Sequence, residues 1–80
     1  SLEQAYLQSE QNVVLHRAMA DLTAEYRAVL WLAFFEGLSN TEIATAMRKN
    51  TRQVKNLLYR AKQSLKTKLE KEGFAYENIG

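Results

Sequence analysis

An all-α fold is predicted, and three observations predict it. The 80 residues include no Pro and only three Gly, so little opposes helix and little favours hairpins. Apolar residues recur at steps of three and four through most of the chain, which places them on single helix faces. Good N-cap residues stand in front of these periodic segments, twice in the reciprocal arrangement in which residues three apart satisfy each other's backbone N–H. The expected architecture is a four-helix domain ending in a helix-turn-helix.

Residues 1–21 read as a first helix with a poorly defined start. Val13, Val14, Ala18 and Met19 form its face, with Leu15 and Leu22 beside it, and Ser9 could cap a shorter version. Residues 1–8 are a linker or helix start, 9–72 the domain and 73–80 a tail carrying Phe74, Tyr76 and Ile79. The second helix starts at Thr23 as N-cap, with Glu25 in the first turn, where the helix dipole favours an acid. It is expected to run to Glu36 and stop at Gly37, a residue suited to the left-handed position after a helix. One face is Tyr26, Val29, Leu30, Ala33 and Phe34; a second is Ala28, Trp31, Leu32 and Phe35. A helix apolar nearly all round must be covered on more than one side. Burial as the central helix is favoured for it; the alternative leaves Trp31, Leu32 and Phe35 exposed as a protein-interaction face.

Ser39 and Glu42 make a capping box for a third helix, in which Ile43, Ala44 and Met47 share a face. Asn50 and Gln53 repeat the arrangement for a fourth. From there Val54, Leu57, Leu58, Ala61, Leu65 and Leu69 form one apolar stripe, at about 100° per residue. Opposite lie Arg52, Asn56, Tyr59 and Gln63, flanked by Lys55, Arg60 and Lys62. A short helix, a tight connection and a long basic helix constitute a helix-turn-helix.

Charge points the same way. The net charge of +2 conceals a separation: eight of the eleven Lys and Arg fall between Arg48 and Lys68, where none of the nine acids lies. That window carries +8 and the remainder −6, a distribution suited to a polyanionic partner. No Cys is present, so disulfides and thiolate metal sites are excluded, and a reducing compartment suits the chain. No apolar run approaches the roughly 20 residues of a membrane helix. A first residue other than Met is consistent with a piece of a longer chain. No nucleophile–base pair, metal-ligand cluster or phosphate loop is found, so no enzyme and no cofactor are expected; His16, the single His, reads as a surface or partly buried side chain.

In a major groove, Arg or Lys pairs with guanine and Asn or Gln with adenine. Arg52, Gln53, Lys55, Asn56, Tyr59 and Arg60 are therefore the candidates for base edges or adjacent phosphates. Arg48, Lys49, Lys62 and Lys66 are better placed for phosphates, which position the domain without reading sequence. Thr41 and Thr51, near helix starts, can add hydroxyl and backbone bonds to phosphate.

The runs Glu36-Gly37-Leu38-Ser39, Glu42-Ile43-Ala44, Val54-Lys55-Asn56 and Arg60-Ala61-Lys62, with Leu22, Tyr26 and Arg27 before them, resemble the C-terminal domain of bacterial extracytoplasmic-function sigma factors. The DNA-binding domain of LuxR-type response regulators shares several of these motifs. The six residues between Leu30 and Gly37 match the sigma spacing, where the LuxR type usually has five. Where the sigma pattern has a turn Gly and a following apolar residue, this chain has Arg48 and Lys49; Arg52-Gln53 and Leu57 are further departures. Loss of that Gly predicts a helical or altered turn, and Lys49 is not expected to fill the small pocket an apolar residue would.

The resemblance implies a four-helix domain of the winged-helix-like DNA-binding superfamily, without a wing, that binds the promoter's minus-thirty-five element, with Lys55, Asn56, Tyr59 and Arg60 at the family's recognition positions. It implies docking on the β flap of RNA polymerase, inhibition by an anti-sigma factor, and a bacterial cytoplasmic location, at the membrane where that inhibitor is anchored there. It further implies a monomer in isolation that binds DNA weakly on its own, since promoter melting belongs to another domain.

Overall fold

In the computed structural model, residues 13–72 are described; the expectations for residues 1–8, for Ser9 and for the tail 73–80 lie outside them. The elements are α1 (helical over residues 13–20), α2 (Ala24–Leu30) running directly into a π turn (Trp31–Phe35), α3 (Asn40–Met47) and α4 (Thr51–Lys71). No strand occurs among the described residues. The all-α, four-helix expectation therefore stands.

Each interhelix boundary follows from local chemistry. Thr23 is extended, and its Oγ1 accepts from the Tyr26 N–H at 3.3 Å. Ser39 Oγ accepts from the Glu42 N–H at 3.2 Å while Glu42 Oε1 accepts from the Ser39 N–H at 2.8 Å. Hydrogen bonding from Ser39, its backbone N–H first and its hydroxyl second, holds the Glu42 carboxyl below the usual carboxylate range. Asn50 and Gln53 form the second box, both bonds 2.8 Å long. Caps of this kind are each worth about 1 kcal/mol. The α1–α2 corner has its own tie: the Arg27 guanidinium donates to the carbonyls of Ala20 (3.3 Å) and Leu22 (3.2 Å), groups left without helical partners.

The second helix departs from expectation after Leu30. The Glu36 N–H donates to the Trp31 carbonyl five residues back, and the Leu38 N–H reaches the Leu32 carbonyl across Gly37, whose φ is +69°. Gly37 thus ends the helix as expected, but the last turn is π, not α. In a wider turn each residue advances less around the axis, so faces drawn at α spacing drift. Phe34, expected on the core face, is 62% exposed. Trp31 and Phe35 are exposed too, at 43% and 46%, while Leu32 packs against the core. Full burial as a central helix holds for Val29 and Leu30 only; of the alternative face, Trp31 and Phe35 are exposed and Leu32 is partly buried.

The turn before α4 also corrects an expectation. Arg48 occupies the left-handed conformation itself (φ 57°, ψ 48°). The Arg48 N–H donates to Thr45 and the Lys49 N–H to Ala44 (2.8 Å), the bond pattern of a Schellman ending. The turn geometry is therefore retained without glycine, because the two hydrogen bonds and the Asn50 cap outweigh a side-chain strain of about 1–2 kcal/mol. Replacing Arg48 with Gly relieves that strain while making the unfolded chain more flexible. Arg48→Gly is expected to stabilise the domain by about 0.5–1 kcal/mol, read as a higher melting temperature. A lower one would mean that the arginine side chain supports the turn.

The long α4 is the brace on which the others rest. Its Val54, Leu57 and Ala61 join Met19, Leu22, Val29, Leu30, Ile43 and Ala44 in one buried cluster, with Leu15, Met47, Leu58 and Leu65 packed against it. Each buried aliphatic side chain contributes about 1.5–3 kcal/mol. At the far end Arg17 of α1 pairs with Glu72 at 3.1 Å. With Val54, Leu57 and Ala61 of its apolar stripe buried in this cluster, α4 turns its other side to solvent.

Candidate nucleic-acid interface

The exposed side of α4 is the basic one. Arg52, Gln53, Lys55, Asn56, Tyr59, Arg60, Lys62 and Gln63 are all exposed, Tyr59 at 63%. Arg48, Thr51 and Lys66 are exposed as well. A helix whose back is aliphatic and whose front carries guanidinium, ammonium, amide and phenol groups can enter a major groove and offer donors to base edges. Asn40 at the start of α3 joins Lys55, Leu58, Tyr59, Lys62 and Gln63 around a shallow cleft beside this face.

Not every expected contact residue is equally available. Gln53 is committed through Oε1 to the Asn50 N–H, which leaves its amide N–H groups for an outside partner. The Arg60 Nε donates to the Asn56 carbonyl at 3.4 Å, setting the guanidinium along the helix. The Lys62 ammonium sits 5.3 Å from the centroid of the Phe34 ring, a cation–π contact linking the basic helix to the apolar surface. Lys49 behaves differently: its side chain is only 26% exposed and its ammonium lies 3.0 Å from Glu25.

The apolar surface adjoins the basic face where Lys62 meets Phe34. Trp31 and Phe35 stack with centroids 4.5 Å apart, His16 approaches Phe35 at 6.2 Å, and Trp31 Nε1 donates to Glu36 at 3.3 Å. Phe34 and Phe35 border a groove of about 450 Å³ lined also by Leu15, Met19, Leu30, Lys62, Leu65 and Leu69. Of the three expected interface residues, Trp31 and Phe35 come together here and Leu32 does not. Phe34 was missed, because the π turn that exposes it leaves no mark in the residue pattern. Glu25, read as a dipole-compensating acid, was missed as the partner of Lys49, since that pair joins residues far apart in sequence.

Among the described residues no group of three His, Asp or Glu side chains converges to hold a metal ion, and no described helix is long and apolar enough to cross a membrane.

Capped short helix, left-handed turn and long basic helix together define a helix-turn-helix domain of the DNA-binding class. Residues 12–65 match the family Sigma-70, region 4, and the chain belongs to that family. It is similar to RNA polymerase sigma factor SigV of Bacillus subtilis, 41% identical over 58 residues that span 72% of this chain and 35% of that protein. It is also similar to the RNA polymerase sigma-H factor of Pseudomonas aeruginosa, 33% identical over 70 residues, covering 88% of this chain and 36% of the relative. The chain thus spans about a third of the length of these relatives. No solved structure matches it significantly. Family membership decides the choice between sigma and LuxR-type domains in favour of the former, and it sets an enzymatic reading aside.

Proposed function

We propose that residues 9–72 form the promoter-reading domain of an extracytoplasmic-function sigma factor. In this reading the first turns of α4 enter the major groove of the minus-thirty-five element. Lys55, Asn56, Tyr59 and Arg60 reach base edges, with Arg52 and Gln53 beside them, and Arg48, Thr51, Lys62 and Lys66 hold phosphates. Lys49 is a separate case because its ammonium already has a partner. The observation that carries the proposal is that Arg52, Gln53, Lys55, Asn56, Tyr59, Arg60 and Lys62 of α4 are all exposed while Val54, Leu57 and Ala61 on its opposite side are buried in the core.

The aromatic surface of Trp31, Phe34 and Phe35 supports the other half of the reading. Exposed apolar patches of this kind mark protein partners. Here the partners are the β flap of RNA polymerase and, competing or inhibiting, an anti-sigma factor. A cytoplasmic location follows from such partners, at the membrane where the inhibitor is anchored there.

Selection of bound sites from random duplex DNA tests the DNA half, and Arg60→Ala sharpens it. If Arg60 reads a base, the substitution costs about 1–3 kcal/mol of affinity and relaxes preference at one position of the selected site. An equal loss on every sequence would make it a phosphate contact, and failure to select any sequence would remove sequence-specific reading altogether.

A further inference from the structure

We propose that Glu25 is a positioning residue that withholds the Lys49 charge from DNA and so lowers the domain's sequence-independent attraction to the duplex. The proposal rests on the DNA-binding reading above and concerns a contact within it. Lys49 stands in the turn that leads into α4, between Arg48 and Asn50, where a cation would ordinarily be counted toward phosphate binding. Its geometry says otherwise. The backbone N–H of Lys49 is fixed to the Ala44 carbonyl at 2.8 Å. Three-quarters of its side chain is covered, and its ammonium emerges 3.0 Å from the carboxylate of Glu25 in the first turn of α2. A lysine stem can be covered in this way while its charge leaves the covered region at the far end.

Exchange of Glu25 for a phosphate would give Lys49 no additional partner. It would also leave the half-exposed Glu25 carboxylate unpaired beside a polyanion, which repels it. The exchange therefore gains little, and Lys49 stays with Glu25 in the complex. The consequence concerns specificity. Phosphate contacts supply nearly all non-specific binding, so each cation removed from the count weakens binding to every sequence alike and leaves base reading a larger share. Arg48, one residue earlier, has an exposed side chain and keeps its phosphate role.

The test is a salt titration of the 80-residue chain and three variants against a short mixed-sequence duplex. Lys49→Gln should leave the log–log slope unchanged. Glu25→Gln should steepen it by about 0.9, the value of one added phosphate contact. The double variant should return to the starting slope, which separates release of Lys49 from a general loss of negative charge. A shallower slope for Lys49→Gln alone would overturn the proposal, as would no steepening in Glu25→Gln or a double variant as steep as Glu25→Gln. Acetylation footprinting of the unaltered chain keeps the test independent of variant folding. Saturating DNA should slow labelling of Lys62 and leave Lys49 unchanged; equal protection of both would overturn the idea. Absence of any salt slope in all four proteins would instead remove the DNA-binding reading itself.

Discussion

The association constant of this domain for duplex DNA is expected to fall with salt along a log–log slope near −4 to −5. Each neutralised phosphate releases condensed counterions and contributes about −0.9. About five contacts are expected from the eight cations between Arg48 and Lys68, since α4 can turn only part of its circumference to one groove and Lys49 is engaged elsewhere. Between about 50 and 200 mM salt this slope amounts to roughly a 500-fold loss of affinity. The balance of the chain makes the measurement informative. A net charge of +2 spread evenly would give a weak response, whereas a +8 window from Arg48 to Lys68, covering the turn before α4 and most of α4 and holding no acid, gives a steep one. Fluorescence anisotropy at several salt concentrations reads the slope directly. A flat response would refute the claim that this face meets a polyanion.

The second large effect is on folding. Ile43→Ala should destabilise the domain by about 2–5 kcal/mol in equilibrium denaturation. Ile43 is among the largest fully buried side chains, lying in the core cluster where α3 packs on α4. Removing three of its carbons loses transfer energy and leaves a cavity that the short α3, capped at one end and turned sharply at the other, cannot close. A domain of this size has only about 5–15 kcal/mol in total, so the loss is a large fraction of it. DNA affinity should fall with it, because α4 is held in place by the same cluster. Tyr59→Ala, on the exposed face, provides the contrast and should change stability by no more than about 0.5 kcal/mol. A loss below about 1 kcal/mol for Ile43→Ala would mean that α3 is not seated on α4 as described.

Several features were legible because they depend on residues close together in the chain. Both capping boxes need only a side chain and a backbone N–H three residues apart, so Ser39 with Glu42 and Asn50 with Gln53 could be read directly. The α4 stripe followed from helix periodicity, and once that stripe was assigned to the core, exposure of Asn56, Tyr59 and Arg60 on the other side was implied by geometry alone. The termination at Gly37 rested on the one residue type that takes positive φ without strain.

Three features were not legible, each for a definite reason. The π turn at Trp31–Phe35 depends on whether a carbonyl meets the N–H four or five residues on, and neighbouring helices decide that choice. It moved Phe34 from the expected core to the surface. Arg48 was expected to alter a turn that it in fact completes, because strain at one residue is weighed against hydrogen bonds and packing made by others. The Lys49–Glu25 contact joins residues in different helices whose approach follows from how those helices pack.

The order of residues alone dictates where helices begin, which face of the last one is apolar, and where positive charge accumulates. These are fixed by bonds and periodicities that span at most a turn or two. Which aromatic rings stay in solvent, and which cations remain available to an outside partner, is set by the packing of the helices. Those outcomes depend on contacts between distant segments, where the same side chain can be ballast, partner or probe according to what lands beside it.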